Sequence, residues 1–138
     1  MKQTKDNIFI DTNILVYTYS FSELPKQTIA RKLIEQNISF ISTQVIQELV
    51  NTITRKFKFT YTDAILAVNE CSLNNRVHTN TYKTILSACD IAREYKFSFY
   101  DSMIIAAAIE CNCSHLHSED MHDGLVINNT LTIVNPFK

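Results

Sequence analysis

Asn7-Ile8-Phe9-Ile10-Asp11-Thr12-Asn13-Ile14-Leu15-Val16-Tyr17 is the stretch on which the fold turns. An apolar run ends on an acid, two small polar residues follow, and a second apolar run begins. If Ile8 to Ile10 form a buried strand, Asp11 stands at its carboxyl end. In open parallel α/β sheets that end is where ligands bind. Asp11 is thus a candidate wall of an active site, and it needs partners from elsewhere in the chain.

Outward from this stretch, strands and helices alternate. Thr12 to Tyr19 continues apolar and suits a short helix capped by Asp11 or Thr12. Phe21-Ser22-Glu23-Leu24-Pro25 breaks it. Lys26 to Gln36 reads as a helix with Ile29, Leu33 and Ile34 on one face. Ile38-Ser39-Phe40-Ile41 is a second strand, and Ser42 or Thr43 caps a helix running to about Phe57. Thr60-x-x-Asp63 has capping-box spacing and opens a helix to about Leu73. Arg76-Val77-His78 is a short third strand. Thr79 or Asn80 caps a helix ending near Tyr95, with Tyr82, Ile85, Leu86, Cys89 and Ala92 as its apolar stripe. Ser98-Phe99-Tyr100-Asp101 leads into Met103 to Ile109, apolar on all sides and expected to be deeply buried. Asn112 takes the place where glycine usually ends a helix. Ser114 to Ser118 is a fourth strand. Leu125 to Ile127 and Leu131 to Val134 are extended, split by a turn at Asn128-Asn129. Such alternation means a parallel sheet flanked by helices.

Composition narrows the function. The 138 residues fit one domain, residues 1–138, at 46% apolar and 20% charged. No apolar run approaches the ~18 residues of a membrane span. The polar N-terminus, Met1 to Asn7, does not read as a signal peptide, so the expected location is the cytoplasm. There Cys71, Cys89, Cys111 and Cys113 are expected as free thiols, Cys71 and Cys89 within the core. A single glycine, Gly124, excludes the Walker loop and the dinucleotide fingerprint, which need several.

Four acids fall where an α/β sheet would gather them. Asp11 and Asp120 follow strands, while Glu48 and Asp101 lie in the first turns of helices that should point to the same edge. Each has an ordinary local role: Asp101 as the acid of a capping box after Ser98, Glu48 beside a helix dipole, Asp120 in a turn. Together they need more. Two like charges about 4 Å apart repel by roughly 4 kcal/mol at an effective dielectric near 20. Packed carboxylates therefore take up protons or share a cation, and oxygen-rich clusters suit Mg2+ or Mn2+. A metal so held activates water for phosphodiester hydrolysis.

Phe9-Ile10-Asp11-Thr12-Asn13-Ile14-Leu15-Val16-Tyr17, Ser42-Thr43-Gln44-Val45-Ile46-Gln47-Glu48, Ser98-Phe99-Tyr100-Asp101, Leu116-His117-Ser118-Glu119-Asp120-Met121 with Gly124, and Asn135-Pro136-Phe137 together resemble a PIN-domain ribonuclease. The resemblance is to the VapC-type toxins of bacterial toxin–antitoxin pairs and spans nearly the whole chain. It implies a three-layer α/β/α domain around a mostly parallel sheet of about four to five strands. It also implies Asp11, Glu48, Asp101 and Asp120 as catalytic, metal-binding acids for Mg2+ or Mn2+. Thr12, Asn13 and Ser118 would be supporting residues, with Asp123 assisting from its loop. Similar proteins cleave RNA, form homodimers and are blocked by a cognate antitoxin. Ser102, His117 and Cys111-Asn112-Cys113 depart from the usual pattern and leave substrate choice open.

The formal charge of −1 gives no bulk field for RNA, but two bound divalent ions would bring it to +3. Arg55, Lys56 and Lys58, and with less reason Arg31-Lys32, are then candidate phosphate contacts. Cys111-x-Cys113-x-His115-x-His117 carries zinc-ligand types, but its alternation should break where Cys111 ends a helix. Two other readings remain. In a phosphotransfer domain of haloacid-dehalogenase or receiver type, Asp11 would be the nucleophile; the second acid usual in the former is here Asn13. The other is a catalytically silent PIN-like binding module.

Overall fold

The computed structural model describes residues 5–138; of the polar N-terminal stretch, residues 1–4 lie outside it. The chain runs β1 (Asn7–Ile10), α1 (Thr12–Tyr17), α2 (Leu24–Gln36), β2 (Ile38–Ser42), α3 (Thr43–Arg55) and α4 (Tyr61–Asn74). It continues through β3 (Arg76–His78), α5 (Tyr82–Tyr95), α6 (Phe99–Glu110), β4 (His115–His117), β5 (Val126–Ile127) and β6 (Leu131–Val134). Among the described residues the sheet has six strands in the order β3-β2-β1-β4-β6-β5. Four neighbouring pairs are parallel and only β5–β6 is antiparallel. All six lie where the sequence placed strands or extended segments, one more than the count of four to five that the resemblance implied; β3 has three residues and β5 two. Among the described residues no helix is long and apolar enough to cross a membrane.

The order of the strands places the site. From β1 the chain steps outward through β2 and β3, then returns to lay β4 on the other side of β1. The direction of winding reverses between β1 and β4, and at such a reversal a crevice opens beyond the strands' carboxyl ends. Asp11 and Ser118 each follow one of those two strands. The backbone joins them closely, since Asp11 N donates to the His117 carbonyl at 3.0 Å.

The core is built from what the sequence pattern supplies. Ile8, Phe9 and Ile10 of β1 and Leu116 of β4 are sealed from solvent. On α3, Val45, Leu49 and Ile53 are buried at helical spacing, leaving Gln44, Glu48, Thr52 and Arg55 on another face. Ser102 to Ala108 of α6 are all buried, as a helix apolar on every side requires. Two asparagines, Asn128 and Asn129, take left-handed φ of 51° and 60° in the β5–β6 turn, and Asn112 (φ 56°) ends α6 as glycine would.

Three readings of helix faces need correction. On α2, Gln27 and Ala30 are buried, Leu33 and Ile34 are half-buried, and Ile29 is exposed. Gln27 can be buried because its amide donates to the Ser20 carbonyl at 3.1 Å. On α5 the cap is Thr81, not Thr79 or Asn80. The buried stripe is Thr84, Ala88 and Ile91, while Tyr82, Ile85, Leu86 and Cys89 face outward. Helix α5 packs along α6, whose Ala106 to Ala108 invite close approach, and small side chains on the facing stripe permit it. Cys89 is therefore not in the core, whereas Cys71 is.

Candidate active site

Asp11, Glu48, Asp101 and Asp120 line one open cleft of about 330 Å3, with Thr12, Asn13 and Gln44 among its walls. Asp11 is the N-cap of α1, its Oδ1 accepting from Thr12 N at 2.7 Å. Glu48 comes from the second turn of α3 and Asp101 from the first turn of α6. Asp120 follows β4 on an exposed loop. The amino ends of three helices thus border the cleft, and their dipoles favour negative charge there.

The supporting residues each hold one acid. Ser118, fully buried, donates to Asp11 Oδ2 at 2.7 Å. Thr12 donates to Glu48 Oε1 at 2.5 Å, and Asn13 donates to Asp120 Oδ2. Ser118 also accepts from Met121 N, fixing the start of the loop that carries Asp120. Asp123 stands apart from the cleft: its carboxylate accepts from Asn135 N at 2.7 Å and ties the loop to the chain's last segment.

Burial pushes the Asp11 carboxyl up to about 6, opposed by the bonds from Ser118 and Thr12 and assisted by the charges of Asp101 and Glu48. Among the described residues no lysine or arginine forms an ion pair with any of the four acids. Nor do any three His, Cys, Asp or Glu side chains converge closely enough to hold an ion. Neutral donors account for the spread, since Asp11, Glu48 and Asp120 are each tied to a different one. The chemistry of the cleft nevertheless fits a hard divalent cation, which takes oxygen ligands. Carboxylate oxygens dominate its walls, and the buried Gln44 Oε1 beside them has no partner among the described residues.

Gln44 escaped the sequence reading. Its Nε2 donates to the Tyr100 carbonyl at 3.2 Å, fastening the start of α3 to the first turn of α6. One bond thereby relates the helix of Glu48 to that of Asp101. The signal was present: Gln44 lies four residues before Glu48, on the same helix face. A second omission is the group around Glu119, whose partner Lys26 is 93 residues away. Lys26 Nζ lies 2.5 Å from Glu119 Oε2 and 4.9 Å from the Tyr17 ring centroid. Tyr17 OH also donates to Glu119, and Phe137 packs edge-on against Tyr17. The carboxyl of Glu119 is held below its usual range by Lys26 and Tyr17, against the effect of burial.

Arg55, Lys56 and Lys58 line a neighbouring hollow of about 390 Å3 that shares Asn51 and Thr52 with the acid cleft. Cys111 caps the end of α6, so the Cys–His alternation breaks there before β4 begins.

The PIN-domain family model matches residues 8–123. No curated protein matches the chain. Among solved structures, a toxin–antitoxin complex from Klebsiella pneumoniae is similar, with a TM-score of 0.71 and 18% identity over 94% of this chain and 97% of that one. Mycobacterium tuberculosis VapC20, described as a toxin cleaving the sarcin–ricin loop, has a TM-score of 0.67 at 18% identity, over 82% of this chain and 89% of that one. VapBC2 from Rickettsia felis, bound to a fragment of promoter DNA, gives 0.63 at 18% identity, over 83% and 88%. Identities this low establish likeness of fold.

Proposed function

The chain belongs to the PIN-domain family, and from that premise we propose that it is a metal-dependent endoribonuclease, the toxin of a toxin–antitoxin pair. One observation carries the reading: four acids from four separate elements line a single cleft, and none has a basic partner among the described residues. A buried charge is normally paired or bound to a metal, and Asp11, buried with neutral donors, is gathered here with three further acids. These four are left for a cation from solution.

Asp11, Glu48, Asp101 and Asp120 would hold Mg2+ or Mn2+. Bound there, the ion supplies charge that activates water and stabilises the phosphoryl group. Ser118 and Thr12 N hold Asp11 in one orientation, and Thr12 and Asn13 do the same for Glu48 and Asp120. Arg55, Lys56 and Lys58 would contact phosphates next to the scissile bond. Residues 1–138 are taken as a single domain acting in the cytoplasm.

A second copy of the chain and an antitoxin are the proposed partners. Support comes from the similar structures that are themselves toxin–antitoxin assemblies and from large apolar side chains left in solvent. Tyr82 and Leu86 of α5 and Ile65, Leu66 and Leu73 of α4 are all more than half exposed.

The test is cleavage of structured RNA by purified protein with Mn2+, with and without chelator. Asp11→Asn should abolish the metal-dependent cleavage. Undiminished cleavage by that variant would remove the assignment. Labelling of Asp11 by a phosphoryl donor would instead favour phosphotransfer.

A further inference from the structure

The acid cleft opens into two hollows of opposite chemistry. One is the basic hollow of Arg55, Lys56 and Lys58. The other, of about 450 Å3, shares Asn13, Thr52 and Asp120 with the acid cleft and Thr52 and Lys56 with the basic hollow. Its remaining walls include the half-buried rings of Tyr17 and Phe57, the hydroxyls of Ser20 and Ser22, and the carboxylates of Glu23 and Glu119. We propose that this second hollow is a nucleobase subsite, which receives an unpaired base adjoining the phosphate held at the acids and selects guanine. The inference rests on the nuclease reading above and adds to it the chemical class of one nucleotide.

Charge divides the two hollows. The charged walls of the basic hollow are Arg55, Lys56 and Lys58, whereas those of the other are Lys56 against the three carboxylates of Glu23, Glu119 and Asp120, which disfavour a phosphate. The part of a nucleotide that suits aromatic rings and carboxylate acceptors is the base. Single-stranded RNA is commonly read in this way, with bases stacked on aromatic side chains and hydrogen-bonded along their edges. Lys56, at the boundary, is placed to hold the phosphate that joins the two positions.

Glu23 gives the subsite its preference. It is the N-cap residue of α2, yet its side chain makes no cap hydrogen bond. Glu119, by contrast, is already engaged by Lys26 and Tyr17. The Glu23 carboxylate therefore remains as an acceptor on this wall. A carboxylate with two oxygens pairs best with two parallel N–H donors. Guanine presents such a pair on its Watson–Crick edge, while uracil presents a single N–H. The Tyr17 ring is held in place by the Lys26 ammonium and the edge of Phe137, so this wall is formed before any ligand arrives.

The experiment uses the full chain carrying Asp11→Asn, which lies outside this hollow and prevents turnover. Binding of labelled RNA hexamers is measured by fluorescence anisotropy, comparing an all-uracil strand with one containing a single central guanine. The guanine strand should bind about tenfold more tightly, within the usual worth of a bidentate base contact. Glu23→Gln, an exposed substitution, should remove that margin, and Phe57→Leu should weaken both strands. In the chain with Asp11 intact, the same two substitutions should broaden the cleavage sites found in a random RNA pool.

Equal binding of the two strands, or a guanine margin that survives both substitutions, overturns the subsite. So does an arginine-bearing peptide whose binding falls with Glu23→Gln while that of the hexamers does not. Failure of the nuclease reading looks different: the chain with Asp11 intact leaves RNA uncut in Mn2+ while the guanine margin persists in binding.

Discussion

Thr60-x-x-Asp63 and Ser98-x-x-Asp101 share one spacing and, in part, one structure. In each, the hydroxyl accepts from the aspartate's backbone N–H, at 3.1 Å and 3.2 Å. Only the first closes the box: Thr60 N donates back to Asp63 Oδ2 at 3.1 Å. The carboxylate of Asp101 leaves its cap and lines the cleft with Asp11, Glu48 and Asp120. One acid serves its own helix, and the other faces the cleft. Local spacing makes the turn, and what the carboxylate then does depends on its surroundings. Asp11 and Glu119 repeat the contrast at the same edge of the sheet. Glu119 has a lysine and is held below its usual range, whereas Asp11 has only neutral donors and is pushed up to about 6.

The largest effect expected from the first contrast is on activity. Asp101→Asn should lower RNA cleavage by about 100- to 1,000-fold, the scale for removing one preorganised electrostatic group. Asp63→Asn should leave the rate unchanged. Equal losses in steady-state cleavage assays would erase the distinction between the two acids.

The second contrast sharpens through pH. Because burial raises Asp11 from 3.8 to about 6, the folded chain keeps this proton where the unfolded chain has released it. Stability from this group is greatest below about pH 4 and falls as pH rises through about 6, by up to about 3 kcal/mol. Urea unfolding at pH 4 and pH 7.5 measures the fall. Saturating Mn2+ at the higher pH should restore stability, by about 2.7 kcal/mol at a hundred times its Kd. A metal-free stability that rises over this interval, after subtraction of the Asp11→Asn profile, would contradict the assignment.

The smallest effect belongs to the closed box. Asp63→Ala, which removes the acceptor of the capping box, should cost about 1 kcal/mol, a fall in Tm of roughly 3–5 °C for a chain of this size. Asp101→Asn should show no such loss in a metal-free thermal scan, because its carboxylate caps nothing. A similar fall in both would mean that Asp101 is a helix cap after all.

Most elements were legible because each is announced by its own residues. Alternating apolar runs marked the strands, and Ser42, Thr60 and Ser98 marked the helix starts at which they do cap. The four acids were legible because each lies at a strand's carboxyl end or a helix's amino end. The buried face of α5 was not legible. Its large apolar residues and its Thr84-Ala88-Ile91 stripe both have helical spacing, and the choice between them belongs to α6. Gln44 was missed because its importance depends on a carbonyl 56 residues away. The bond that holds Asp123 apart from the cleft was not legible for a similar reason: its partner, Asn135 N, is brought near by the last strand.

By itself the sequence determined which residues stand at the ends of elements, and so which acids and hydroxyls were available. Hydrogen bonding and apolar periodicity act over a few residues, and they leave a local trace. The order β3-β2-β1-β4, the crevice it opens above β1 and β4, and the pairing of Lys26 with Glu119 rather than with an acid of the cleft were decided in three dimensions. Those outcomes depend on which surfaces can be buried together, and residues far apart in the chain settle that jointly. Asp11 was visible from the start as an acid at the end of a strand. Its burial, its neutral donors and the missing countercharge came with the tertiary structure.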